Sequence, residues 1–119
     1  MILPHQAPIR FAQNIIELND DFALVRCEFP CIPTLSMVSE SAAQSSAAFA
    51  QNSEKPIIGF LISLKGIQQV GEFLYTEYLI KIKKEITFGS MTEFSFELIS
   101  NSTIFAKGSL TIALQNDSI

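Results

Sequence analysis

Residues 37–51 constrain the fold more than any other stretch. They read Met-Val-Ser-Glu-Ser-Ala-Ala-Gln-Ser-Ser-Ala-Ala-Phe-Ala-Gln, with five Ala and a single charge, and no comparable segment follows them. At about 100° per residue, Met37, Glu40, Ser41, Gln44 and Ala48 share one helix face, while Val38, Ala42, Ser45 and Phe49 share another. A surface helix carries a charged outer stripe, which this one lacks. The pattern predicts a helix buried on most sides, its small side chains letting a surrounding sheet approach closely. Ser36 is the expected N-cap, with Thr34 the competing choice.

Around this helix the chain is patterned as strands. Ala12–Leu18 reads as a first strand ended by the turn residues Asn19-Asp20-Asp21. Phe22–Phe29 follows, with Ala23, Val25, Cys27 and Phe29 on one face and Phe22, Leu24, Arg26 and Glu28 on the other, which turns polar toward its end. Pro30 and Pro33 break the ladder and force an extended connector. After an exit loop at Asn52–Pro56, four more strand-like runs appear at 57–69, 74–88, 91–100 and 103–114, with Asn101-Ser102 as the last hairpin turn. Two strands, one helix and four strands imply an α+β fold in which one antiparallel sheet wraps one central helix. Such a sheet leaves edge strands open, and dimerisation into a continuous sheet answers that liability.

Composition sets the outer bounds. The 119 residues make one domain, 1–119, with 48% hydrophobic and 17% charged residues, which excludes a disordered acidic tail. Eight Lys and Arg against twelve Asp and Glu give a net charge of −4, so neither nucleic acid nor an anionic membrane is an expected partner. The local basic cluster Lys81, Lys83 and Lys84 reads as the solvated face of a strand. No apolar run is long enough for a membrane span, and no secretory signal pattern opens the sequence, so a cytoplasmic protein is expected. Cys27 and Cys31 are too few for a disulfide scaffold or a zinc set and read as buried free thiols. Neither a ligand cluster nor a Gly-rich phosphate loop is present, so no metal or redox cofactor is implied.

Several residues have the chemistry for a site. Glu40 is either a catalytic carboxylate or a charge favoured by the helix dipole at its N-terminal turns. Gln44 lies one turn on, at the spacing at which an amide can orient a carboxylate. Glu28 is either a strand-edge charge or a base. His5, the sole His, either fixes the N-terminal backbone or takes part in chemistry. Ser39, Ser41, Ser45 and Ser46 lack a Gly-x-Ser-x-Gly elbow and do not read as a serine hydrolase.

Read together, Leu3-Pro4-His5-Gln6-Ala7-Pro8, Phe29-Pro30 with Pro33, and Glu40-Ser41-Ala42-Ala43-Gln44 resemble the hotdog-fold 3-hydroxyacyl-(acyl carrier protein) dehydratases. Gly59-Phe60-Leu61 is similar to the start of that family's third strand, and the likeness extends to short dehydratase-like proteins of aryl-polyene-type pathways. The resemblance implies a hotdog fold and the dimer such sheets form, as a homodimer or a heterodimer with a paralogue. It implies an acyl thioester on acyl carrier protein or coenzyme A as substrate. It places Glu40 at the family's acidic helix position, Gln44 at the Gln that follows, and Phe29, Pro30, Ile32, Pro33, Gly59 and Phe60 along the substrate. The position matching the family's acid/base His reads Glu28, and the connector lacks the family's second Pro-Gly. Three functions follow as alternatives: a dehydratase-like lyase, a thioesterase using the helix carboxylate to activate water, and a non-catalytic half-site or acyl-binding partner.

Overall fold

Alternation and turn chemistry set the first hairpin. β1 (Ala12–Leu18) and β2 (Phe22–Glu28) pair antiparallel, and Asn19 Oδ1 closes the turn by accepting from the Asp21 and Phe22 amides at 2.8 and 3.0 Å. The structure is a computed structural model that describes residues 10–50 and 57–116; side chains at 50, 57–60 and 114–116 fall outside the description. His5 and the opening motif lie outside the described residues, as do Gln51 and the exit loop.

The chain then crosses the sheet. Helix α1 (Leu35–Ser45) continues as a 3₁₀ turn over Ser46–Ala50 and delivers β3 (Ile57–Gln69) to the edge opposite β1. β4 (Glu77–Phe88), β5 (Met91–Ser100) and β6 (Thr103–Asn116) form a meander, and the sheet order is β1-β2-β4-β5-β6-β3, antiparallel throughout. This is the expected α+β arrangement, one sheet around one helix. Asn101 and Ser102, at φ 50° and 64°, make the two-residue turn whose left-handed conformation matches strand twist.

The inner face is one apolar layer. Val25, Cys27, Tyr78, Ile80, Ile82, Phe96, Leu98 and Leu110 point at α1 and are almost fully buried. Each large apolar side chain of this kind contributes about 1.5–3 kcal/mol by leaving water. The helix meets them with Val38, Ser39, Ser41, Ala42 and Ser45. Its buried hydroxyls bond back to the helix: Ser39 to Leu35 O, Ser41 to Val38 O and Ser45 to Ser41 O at 3.1, 2.7 and 2.7 Å. These serines therefore pack as small residues with their polar atoms satisfied locally.

Four details differ from the sequence expectation. The N-cap is Thr34, whose hydroxyl accepts from the Met37 amide at 3.2 Å; Ser36 is already inside the helix. Burial on most sides of the helix holds, since within α1 only Ser36 and Glu40 are exposed, a narrow strip that the sheet does not cover. Residues 74–76 are a connector rather than the start of β4, since the Leu74 and Tyr75 amides bond the Tyr78 hydroxyl at 3.1 and 3.2 Å. Cys31 is exposed, and only Cys27 is buried. In the basic cluster, Lys83 and Lys84 are exposed as expected, Lys84 with its ammonium 5.1 Å from the Phe49 ring, whereas Lys81 is half-buried over the Phe22 ring at 4.8 Å.

A bulge in β3 makes one glycine obligatory. Gly66 adopts φ 63° within the register shift between Lys65 and Gln68, which turns Ile67 over β6. A Cβ on Gly108 would lie 2.5 Å from Ile67 Cδ1, 3.1 Å from its Cα and 3.1 Å from Phe96 Cε2. Gly108→Ala is expected to cost about 1–3 kcal/mol by urea unfolding, the range for overpacking a filled core. Thr34→Ala is expected to cost about 1 kcal/mol, as for a lost N-cap, and Ser36→Ala only a few tenths.

Candidate functional site

The connector between β2 and α1 carries four of the sequence-predicted residues, Phe29, Pro30, Ile32 and Pro33. Phe29 leaves β2 pointing inward, 3% exposed, with its ring 5.1 Å from Phe11 and 6.3 Å from Tyr78. Its amide donates to Thr76 O at 2.7 Å, which fastens the connector to the segment before β4. Pro33 is buried, Pro30 and Cys31 are exposed, and Ile32 is 46% exposed. Ile32 forms one wall of an open groove of about 480 Å³, completed by Leu74, Tyr75, Thr76, Glu77, Ser100 and Asn101. Its lining mixes the apolar side chains of Ile32, Leu74 and Tyr75 with the polar ones of Thr76, Glu77, Ser100 and Asn101, and it is widely open to solvent.

Strand alternation separates the two candidate carboxylates. Arg26 and Glu28 share the outer face of β2, opposite the face that Cys27 and Phe29 turn to the helix. Arg26 Nη1 donates to Glu28 Oε2 at 3.1 Å and to Glu77 Oε1 at 3.2 Å, while its Nε and Nη2 donate to Asn14 Oδ1 at 3.0 and 2.7 Å. The hydrogen bond to Glu28, followed by the charges of Glu77 and Glu28, raises the Arg26 pKa from its ordinary value, against partial desolvation. Glu28 is thus one arm of an outer-face network across β1, β2 and β4.

Glu40 stands on the exposed strip of α1, between Ser36 and Ala47. Gln44 lies one turn further along, and its Oε1 accepts from the Phe11 and Ala12 amides at 2.8 and 3.1 Å. The side chain that the spacing pairs with Glu40 therefore also holds the start of β1. Gly59 and Phe60 lie in β3, opposite Leu114 and Ala113 of β6. Sequence reasoning missed Leu74, Tyr75 and Asn101 as groove residues, because the first two have strand composition and Asn101 has turn chemistry. The signal that would have found them is tertiary: Tyr78 as acceptor for the connector.

Of the two free thiols, Cys31 is exposed within the connector and Cys27 is buried and inert. Cys27 Sγ lies 3.7 Å from Ser45 Oγ between sheet and helix, and burial pushes its pKa from 9.0 up to about 11, opposed by hydrogen bonding to Ser45 and Ser41. Among the described residues no group of three or more His, Cys, Asp and Glu converges to hold a metal ion, and no helix is long and apolar enough to cross a membrane.

The fold has many solved counterparts. A chain of the dehydratase heterocomplex ApeI:P from Xenorhabdus doucetiae superposes with a TM-score of 0.74 at 14% identity, covering 98% of this chain and 90% of that one. A conserved protein from Pseudomonas aeruginosa gives 0.73 at 14% identity over 97% and 96%. A thioesterase from Haemophilus influenzae gives 0.65 at 6% identity over 88% and 79%. These similarities define the chain as a hotdog fold. No family model matches the sequence, and no curated protein matches it.

Cys31 is expected to react rapidly with a thiol-disulfide reagent in the folded protein and Cys27 only on unfolding, giving one fast and one denaturant-dependent thiol. Because the folded Cys27 pKa is raised, its contribution is fully present below about pH 9 and is lost as pH rises toward about 11. The loss is about 2–3 kcal/mol at 1.36 kcal/mol per pK unit. Comparing the pH dependence of unfolding with that of Cys27→Ala isolates it from the Lys and Tyr titrations.

Proposed function

We propose that this chain handles acyl thioesters carried by acyl carrier protein or coenzyme A, as the helix-carboxylate half of a dehydratase-like site. One observation carries the reading: Glu40, the sole charge on α1, stands on the strip of the helix that the sheet leaves open. That one hotdog counterpart belongs to a dehydratase heterocomplex supports it, and the sequence resemblance implies that Glu40 takes that family's acidic position.

Dehydration of a 3-hydroxyacyl thioester removes an α-proton and protonates the departing hydroxyl, which leaves as water, with the enoyl double bond forming between the α and β carbons. That double task needs an acid and a base within reach of adjacent carbons. Glu40 supplies one of them. Glu28, at the position of the family's His, is tied to Arg26 on the outer face of the sheet. The second group therefore comes from another subunit. β3, an edge strand with Leu61, Ile62 and Leu64 exposed at 42–55%, is the surface through which a homodimer or a His-bearing paralogue extends the sheet. Phe29, Pro30, Ile32 and Pro33, with Gly59 and Phe60, are the proposed acyl wall.

A thioesterase is the second reading, supported by thioesterases among the hotdog counterparts. There Glu40 activates water, and the thioester C–S bond breaks to give a free acid and a thiol.

The purified chain is incubated with a 3-hydroxyacyl thioester, alone and with a His-bearing paralogue. Enoyl absorbance appearing only with the paralogue, and falling at least about 100-fold with Glu40→Gln, is the expected outcome for removal of one acid/base group. Free thiol without enoyl product selects the thioesterase reading. Turnover unaffected by Glu40→Gln removes Glu40 from the chemistry.

A further inference from the structure

We propose that Gln44 is a positioning residue: its side-chain oxygen, carried on the helix of Glu40, fixes the 29–33 connector and the groove beside it. The inference deepens the acyl-thioester reading, in which that connector walls the substrate. It rests on a chain of direct contacts, each a hydrogen bond or a ring contact.

The chain starts at a backbone need. At the point where β1 begins, the Phe11 and Ala12 amides both donate to Gln44 Oε1, at 2.8 and 3.1 Å. Phe11 is 5% exposed, so losing this acceptor would strand a donor away from water. The other side of Phe11 holds the connector. Its carbonyl accepts from the Glu28 amide at 2.8 Å, and its ring packs 5.1 Å from Phe29.

Phe29 passes the restraint on. Its amide donates to Thr76 O at 2.7 Å and its ring edge meets Tyr78 at 6.3 Å. The Tyr78 hydroxyl accepts from the Leu74 and Tyr75 amides. Leu74, Tyr75 and Thr76 are one wall of the groove, and Ile32 of the connector is the other. Besides the covalent run through Pro33 and Thr34 into α1, the carboxamide oxygen of Gln44 is thus a second link between the helix and both walls. The requirement is an acceptor at that point, so Glu satisfies it and the similarly long Met does not.

The chain has two tyrosines, Tyr75 and Tyr78, and no tryptophan, so its tyrosine near-ultraviolet circular dichroism reports on this end of the molecule alone. The test compares Gln44→Met and Gln44→Glu in the full chain by that signal and by amide hydrogen exchange. Gln44→Met is expected to keep its far-ultraviolet spectrum, lose about half or more of the tyrosine band, and exchange the Leu74 and Tyr75 amides about tenfold faster. Gln44→Glu is expected to stay near wild type. A wild-type band and wild-type exchange in Gln44→Met overturn the proposal, as does equal damage in Gln44→Glu. Should Gln44→Met fail to fold, exchange in the unmodified protein decides. Protection at Phe11, Glu28, Phe29, Leu74 and Tyr75 agreeing within about tenfold supports one linked unit, and a wider spread refutes it. No substrate enters these measurements, so they stand apart from failure of the acyl-thioester reading.

Discussion

The close approach of helix and sheet is the constraint on which the rest depends. Ser41, Ala42 and Ser45 are almost fully buried against the inner face. Side chains this small bring the helix axis near the strands, and the serines manage it without orphaned polar atoms because each hydroxyl returns to its own helix. Larger residues there would hold the helix off the sheet. Gln44 would then no longer reach the Phe11 and Ala12 amides, and Cys27 would lose its place beside Ser45.

That geometry divides the molecule chemically. The inner face is apolar and sealed by α1, whereas polar networks collect on the outer face, where Arg26 gathers Asn14, Glu28 and Glu77 from three strands. Glu40 belongs to neither group. It occupies the helix strip that the sheet cannot cover, which gives one carboxylate a place of its own while Glu28 is held in an ion pair. The proposed two-subunit site follows from this division.

The strands were legible from apolar, β-branched and aromatic runs bounded by turn residues, with burial alternating clearly in β2 and β5. β1, β3 and β5 begin and end at the expected residues, and the two faces of β2 fall as read. The sequence was less informative where a distant contact decides the outcome. Thr34 and Ser36 are equally good caps chemically, and the choice depends on where the buried Pro33 releases the chain into the helix. Leu74-Tyr75-Thr76 has strand composition, yet its hydrogen bonds go to the Tyr78 side chain and the Phe29 amide, which no local pattern encodes. Helical spacing put Glu40 and Gln44 on one helix face, and the family resemblance proposed them as site residues. That Gln44 reaches β1, and that Glu28 turns outward into an ion pair, depended on which side of the sheet the helix packs.

The strand order also imposes a sequence of events on a growing chain. Among the described residues β3 pairs with β6 and with no other strand, and β6 is separated from it by the whole of β4 and β5. The edge that receives β3 does not exist until the last strand has been made and the meander has closed. During synthesis β3, with Leu61, Ile62 and Leu64 on it, therefore waits unpaired while the next three strands emerge. An apolar strand kept waiting in this way is a ready partner for another chain in the same condition.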